Sequence, residues 1–168
     1  ATRVCRLLAD GAHVTVVAGP VHLATPRGVQ RVDVQSARQM LEATQAAVPA
    51  ADIFIATAAV ADWRPLTEAG QKIKKDGSGE APVVAFAENP DILATVAQSA
   101  RATSGALFCV GFAAESHDLV AHATAKRARK GIPLLVGNIG PLTFGQDDNE
   151  MLLVDAAGVQ PLPRAPKL

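Results

Sequence analysis

The chain carries no excess of either charge: 16 lysines and arginines balance 16 aspartates and glutamates across 168 residues. A neutral surface drives neither coating of nucleic acid nor adsorption to a membrane, which argues against both roles but leaves room for a local basic pocket. No apolar run approaches the length of a bilayer span. The first residues do not read as a secretory leader, because Arg3, Arg6 and Asp10 interrupt any apolar stretch. Cysteine is nearly absent. Cys5 and Cys109 form no C-x-x-C pair, and a reduced, cytoplasmic setting is the simplest reading. His13, His22, His117 and His122 lack metal-site spacing, and His117 and His122, five apart, share a helical face poorly. The nucleophile elbow G-x-S-x-G, the Walker lysine loop and H-E-x-x-H are all missing, so hydrolysis by serine or zinc has no support. There is also no G-x-G-x-x-G after a strand, and no internal repeat.

What is present is a hydrophobic content of 49%, ample for one domain's core. Apolar runs alternate with helical patterns. Strands are predicted at Val14–Ala18, 52–57, Ala106–Val110, Ile132–Val136 and Met151–Asp155, with Ala156-Ala157-Gly158 turning the last into Val159–Leu162. Helices are predicted at Arg3–Ala9, from Ser36 (as cap) to Val48 before Pro49, at Asp91–Arg101, and at His117–Lys130 with Gly131 as terminator. Continuous apolar strands separated by helices imply a doubly wound, Rossmann-like α/β fold. Its sheet would be mostly parallel, with helices on both faces and a C-terminal antiparallel hairpin. Ligands of such sheets sit beyond the carboxyl ends of the strands, here after 57, 110 and 136. The chain opens in a helical pattern without a preceding strand and stops at Pro166-Lys167-Leu168 without a closing helix. It is therefore expected to be one domain cut at both ends.

The residues that can carry chemistry lie just past those strands. Ala58-Ala59-Val60-Ala61-Asp62-Trp63-Arg64-Pro65 comes after the run at 52–57. Its small residues allow a ligand close to the backbone, and Asp62 can hold a hydroxyl or a metal-bound water. Trp63, the only tryptophan, can seal a sheet edge. Lys72-Ile73-Lys74-Lys75 reads either as a phosphate clamp or as a solvated charge run. An extended segment would place Lys72 and Lys74 on one side, and Gly77-Ser78-Gly79 could fold it onto Val83–Phe86 as a ribbon. In Asn89-Pro90-Asp91-Ile92-Leu93, Asn89 suits a cap and Pro90 the first helical position, and the free amides of that helix start can bind an anion or simply be capped. Gly111-Phe112-Ala113-Ala114-Glu115 sits past a buried strand; Gly111 permits close approach, and Phe112 lines a pocket or packs in the core. Lys126 and Lys130, four apart, project from one helix face, toward a polyphosphate or in answer to the helix dipole. Asn138 can bind substrate or hold its own turn. Asp147 and Asp148 read as solvated acids more readily than as metal ligands.

Together these pieces, with Gly11-Ala12-His13-Val14-Thr15-Val16-Val17-Ala18-Gly19-Pro20, resemble the phosphopantothenoylcysteine synthetase domain of bacterial coenzyme A biosynthesis. The resemblance covers essentially the whole chain, and its specificity lies in the conjunction. It implies a ligase that activates 4′-phosphopantothenate with CTP and Mg²⁺ as an acyl-cytidylate. L-cysteine then captures the acyl group, giving phosphopantothenoylcysteine, CMP and pyrophosphate. By the same resemblance, Ala56, Thr57 and Ala58 offer backbone contacts to the nucleotide, and Ala58 and Ala59 face the substrate. Asp62, Pro90, Asp91, Ile92, Leu93 and Phe112 border the nucleotide, Lys126 and Lys130 reach the phosphates, and Lys72 assists cytidylate formation. It also implies a cytoplasmic homodimer and fusion to a decarboxylase domain whose FMN belongs to that missing part. The family's first strand, its Ser/Gly-rich loop and a substrate-binding asparagine precede the segment matched here, so this piece alone is expected to lack part of the substrate site. Two other readings are a nicotinamide-dependent oxidoreductase, which would need the glycine fingerprint, and a nucleotide-binding module without catalysis.

Overall fold

A computed structural model of the chain describes residues 7–67, 70–74, 77, 79–115, 118–139 and 148–166. Cys5, the start of the 3–9 helix, Lys75, Asp76, Ser78, His117 and the Phe144–Asp147 loop lie outside the described residues.

The fold is a mixed sheet packed with helices. Strands β1 (Thr15–Ala18) and β2 (Gln30–Asp33) pair in parallel as a small sheet of their own. Helix α1 (Ala37–Ala47) leads through a short 3₁₀ turn at Val48–Ala50 to β3 (Ile53–Ala56). β4 (Trp63–Pro65) and β5 (Phe86–Glu88) form an antiparallel ribbon. Then come α2 (Ile92–Ala97), α3 (Ala100–Thr103), β6 (Phe108–Glu115), α4 (Leu119–Lys130), β7 (Leu134–Ile139), β8 (Asp148–Val154) and β9 (Val159–Pro166). The main sheet runs β3-β6-β7-β8-β9. Its first three strands are parallel, and β8 and β9 are antiparallel, as the predicted hairpin requires.

Local sequence explains most boundaries. Ser36 Oγ accepts from the Gln39 amide while the Gln39 side chain accepts from the Ser36 amide, a reciprocal cap that satisfies two free donors at the start of α1. Pro49 limits the continuation of α1 to the short 3₁₀ turn. Gly131 closes α4 in the left-handed region at φ +65°. The β8–β9 turn is held by Asp155 Oδ1, which accepts from the Ala157 and Gly158 amides at 2.8 and 3.1 Å.

Several expectations are corrected. β2 was not foreseen, because Gln30-Arg31-Val32-Asp33 has one strongly apolar residue and gains its strand from pairing with β1. The predicted ribbon between Lys72–Lys75 and Val83–Phe86 is replaced by β4 against β5, where Trp63 faces Glu88 and Pro65 faces Phe86. The 91–101 helix is two helices: Ser99 starts a new one, its side chain accepting from the Ala102 amide. β6 and β7 extend beyond their predicted ends, to Glu115 and Ile139, because each pairs with the other from Val110↔Leu134 to Glu115↔Ile139. Gly111–Glu115 and Gly137–Ile139 are therefore strand, not loop.

The core gathers Val96, Ala97, Leu107, Cys109, Ala113, Ala123, Ile132, Leu135 and Val154 under α2 and α4. Gly111 belongs to this packing. A Cβ there would stand 2.6 Å from Ile132 Cδ1 and 2.8 Å from Leu93 Cδ2. The close approach that glycine allows is thus made by two core side chains. Gly111→Ala is expected to destabilise the fold by about 1–3 kcal/mol through overpacking. A drop in the denaturation midpoint checks this; an unchanged midpoint would mean that Leu93 and Ile132 yield.

Candidate functional site

The parallel strands bring the candidate segments to one level of the sheet. Ala56, the last residue of β3, is in register with Gly111 of β6, and Phe112 follows on that strand. Thr57, Ala58 and Ala59 lie exposed on the coil leaving β3. Ala58 and Ala59 make no backbone hydrogen bond among the described residues. A ligand of such a sheet would approach this strand end.

Asp91 is the cap of α2. Its Oδ1 accepts from the Ala94 amide at 3.0 Å. This corrects the assignment of the cap to Asn89. It also moves Pro90 outside the helix, one residue before the cap. Ile92 is buried and Leu93 packs against the core, so their side chains are committed to the fold. Any contact they make with a nucleotide is through the main chain.

The other oxygen of Asp91 accepts from Lys130 Nζ, an ion pair between the last residue of α4 and the start of α2. Burial pushes the Asp91 carboxyl upward, but the hydrogen bond from Lys130, the Ala94 amide and the charges of Lys130 and Arg129 outweigh it and hold the group below its ordinary value. Lys126, one turn earlier, lies 3.8 Å from Glu115 Oε1 at the end of β6, and His122 Nδ1 lies 3.8 Å from the other Glu115 oxygen. Each lysine is thus held by one carboxylate, Lys126 at the end of β6 and Lys130 at the start of α2. Arg127, between them, is used structurally: its Nε donates to Pro133 O at 3.0 Å.

The depressed Asp91 value fixes a pH dependence. A group whose folded value lies below its unfolded one contributes stability above the unfolded value and loses it as pH falls through the folded one. Asparagine caps a helix as well as aspartate. Asp91→Asn therefore removes only the charge pairing, at a cost near pH 7 of about 0.5–1 kcal/mol for a half-exposed carboxylate. The difference should close as pH drops below roughly 4, the ordinary aspartate range. Urea unfolding of both proteins across pH 3–7 checks it; a gap that persists at low pH would contradict it.

Asp62 is exposed but anchored: its carbonyl accepts from the Asn89 amide at 2.7 Å. The structure thus links Asp62, Pro90, Asp91 and Lys130 in one connected set, with Lys126 joined to the end of β6. Lys72 is not part of it. It lies exposed on coil, with no hydrogen bond or ion pair among the described residues. Asp148 pairs with Arg164 at 2.6 Å across the hairpin and closes β8 on β9. Cys109 is buried, and burial pushes its thiol upward, which suits packing and not reactivity. Two participants were not assigned roles from sequence. Glu115 is one of these, and the signal that it serves Lys126 is the spacing of His122 and Lys126, one turn apart, opposite a strand-end acid. Arg64 had no role until the β4–β5 ribbon placed it beside Asn89.

These segments meet at the ends of parallel strands of the main sheet, and comparison with known proteins shows the family to which the chain belongs. The chain belongs to the family described as the DNA/pantothenate metabolism flavoprotein C-terminal domain, which it matches over residues 4–168. It is 43% identical over 160 residues to the coenzyme A biosynthesis bifunctional protein CoaBC of Vibrio cholerae, a match that takes in 94% of this chain and 39% of that protein. The chain thus spans about two fifths of that relative's length. The solved C-terminal domain of a CoaBC protein superposes with a TM-score of 0.72 at 30% identity, covering 94% of this chain and 68% of that one. A Cab2 variant solved in complex with phosphopantothenate-cysteine shares the fold, with a TM-score of 0.61 at 17% identity over 81% of this chain and 47% of that one. No helix among the described residues is long and apolar enough to cross a membrane.

Proposed function

We propose that the chain is the synthetase part of a coenzyme A biosynthesis enzyme, a CTP-dependent phosphopantothenate–cysteine ligase. The observation that carries this reading is the connected set running from Asp62 through Asn89 and Asp91 to Lys130, set beside the open backbone after β3. It is what a triphosphate and a small anionic substrate need: main-chain groups for the nucleoside, an acid for a hydroxyl, and cations for the phosphates.

The chemistry requires no side-chain nucleophile. A carboxylate oxygen of 4′-phosphopantothenate attacks the α-phosphorus of CTP, and the bond to the bridging oxygen breaks to release pyrophosphate. The amine of cysteine then attacks the acyl carbon, CMP departs, and the amine's proton passes to solvent. The first step brings two anions together, so cations that are stronger partners for the transition state than for the ground state accelerate it. Lys126 and Lys130 hold the triphosphate, and Lys72 meets the charge that develops at the reacting phosphorus. Positioning by the main chain of 56–59 and by Asp62 supplies the alignment.

The family's magnesium would act as an electrophilic counter-ion to the phosphates. Among the described residues no three acids, histidines or cysteines converge as a metal site, and Asp91 is occupied by Lys130 and the helix cap. The described residues build no cage, and an ion arriving on the triphosphate would supply that chemistry. Fusion to a flavin-dependent decarboxylase belongs to the same proposal and is supported by the bifunctional relatives; homodimer formation is proposed with it. The test is pyrophosphate release from CTP that requires 4′-phosphopantothenate, stops near one equivalent per site without cysteine and turns over continuously with it, with NADPH binding titrated in parallel. Release without 4′-phosphopantothenate, or binding of NADPH but not CTP, would defeat the proposal.

A further inference from the structure

Asn89 is engaged on every polar group it can offer to the turn beside it. Its backbone amide donates to Asp62 O at 2.7 Å, and its side-chain Nδ2 donates to Ala61 O at 2.9 Å. Its Oδ1 accepts from Arg64 Nη1 at 3.4 Å, and the same guanidinium nitrogen donates to Glu88 O. The orientation of the side-chain amide is fixed by chemistry: Arg64 can only donate and the Ala61 carbonyl can only accept. One residue thus grips two successive carbonyls of the Ala61-Asp62 turn, while Arg64 braces it from the ribbon. Asn89 is free to do this because Asp91, not Asn89, caps α2.

The consequence is geometric. Asp62 and Asp91 are far apart in sequence, yet Asn89 touches the first and stands two residues before the second. We propose that Asn89, braced by Arg64, is the positioning residue that sets Asp62 against the start of α2 and so gives the nucleotide site its shape. The proposal rests on the ligase reading for its kinetic consequence, not for its structural one. Aspartate at this position would keep the acceptor for Arg64 but place a carboxylate oxygen against the Ala61 carbonyl. Alanine would remove both side-chain contacts. Because the side chain holds the Ala61 carbonyl, and with it the turn that carries Asp62, its loss should act on nucleotide affinity before it acts on turnover.

Trp63 supplies a readout that needs no ligand. It is the only tryptophan, it is exposed, and it directly follows Asp62. In Asn89→Ala and Asn89→Asp, acrylamide quenching of Trp63 should rise and its fluorescence anisotropy fall. Arg64→Lys, which keeps the charge at this half-buried position but loses the guanidinium's geometry, should move both readouts the same way by less. In the full-length protein, Asn89→Ala should raise KM for CTP about tenfold and leave kcat within about threefold. Asp62→Asn should show the same pattern, and adding Asn89→Ala to it should raise KM no further, because both changes remove one function. Unchanged Trp63 quenching in both Asn89 variants would overturn the proposal. So would an additive loss in the double variant, or a lowered melting temperature with KM unaltered. If the parent neither binds CTP nor releases pyrophosphate, the ligase reading fails, while the nucleotide-free Trp63 measurement still decides whether Asn89 holds the turn.

Discussion

Lys72→Ala is expected to slow pyrophosphate release by about 10²–10³-fold, the usual cost of removing one donor aimed at developing charge. CTP affinity should stay within about threefold, because an interaction made mainly in the transition state contributes little to ground-state binding. Stability should change by less than roughly 0.5 kcal/mol, as for other exposed positions without special contacts. Lys72 stands exposed on coil with no partner among the described residues, so its removal breaks nothing in the folded chain. The same freedom lets a mobile ammonium meet the reacting phosphorus without first giving up an ion pair. Rapid-quench measurement of the first turnover, beside CTP binding by calorimetry, checks both halves. Equal kinetics in variant and parent would remove Lys72 from the mechanism.

The second large effect is on binding. Replacing Lys126 and Lys130 together with alanine should raise the Kd for CTP about 100-fold. That corresponds to two charge-assisted contacts of roughly 1.5 kcal/mol each. Both lysines hold carboxylates in the absence of nucleotide, Lys126 with Glu115 and Lys130 with Asp91, and the triphosphate must compete with those partners. The double variant should also lose much of the salt dependence of binding, since screened attraction is what it lacks. An unchanged Kd would mean that the lysines serve only the two carboxylates. Adding Asp91→Asn separates the effects: it removes the unpaired acid left by Lys130→Ala and should recover stability without recovering affinity.

Much of this was legible in the chain because it is local. The reciprocal cap at Ser36 and Gln39, the stop at Gly131 and the turn at Ala156-Ala157-Gly158 are written in neighbouring residues. So is the alternation of apolar strands with helices, which names the α/β architecture. What escaped depends on distant partners. β2 is a strand because β1 lies beside it, and β6 reaches Glu115 because β7 continues to pair with it. Gly111 reads as a ligand-facing glycine until Leu93 and Ile132 are seen to fill its space. At the site, residue types were readable but their contacts were not. Asn89 has a cap's composition, yet the cap is Asp91, and no spacing rule says that Asn89 would grip Ala61 and Asp62. Lys126 and Lys130 share a helix face as their spacing requires, but the acids that orient them come from α2 and β6.

The central claim is that this site lets a substrate carboxylate attack the α-phosphorus of CTP. The measurement that bears on it most directly uses 4′-phosphopantothenate carrying ¹⁸O in its carboxylate, turned over by the full-length protein with CTP and cysteine. Mass spectrometry should then find one ¹⁸O in each CMP formed, because the bridging oxygen of the acyl-cytidylate leaves with the nucleotide. CMP that contains none of the label, while phosphopantothenoylcysteine accumulates, would contradict it.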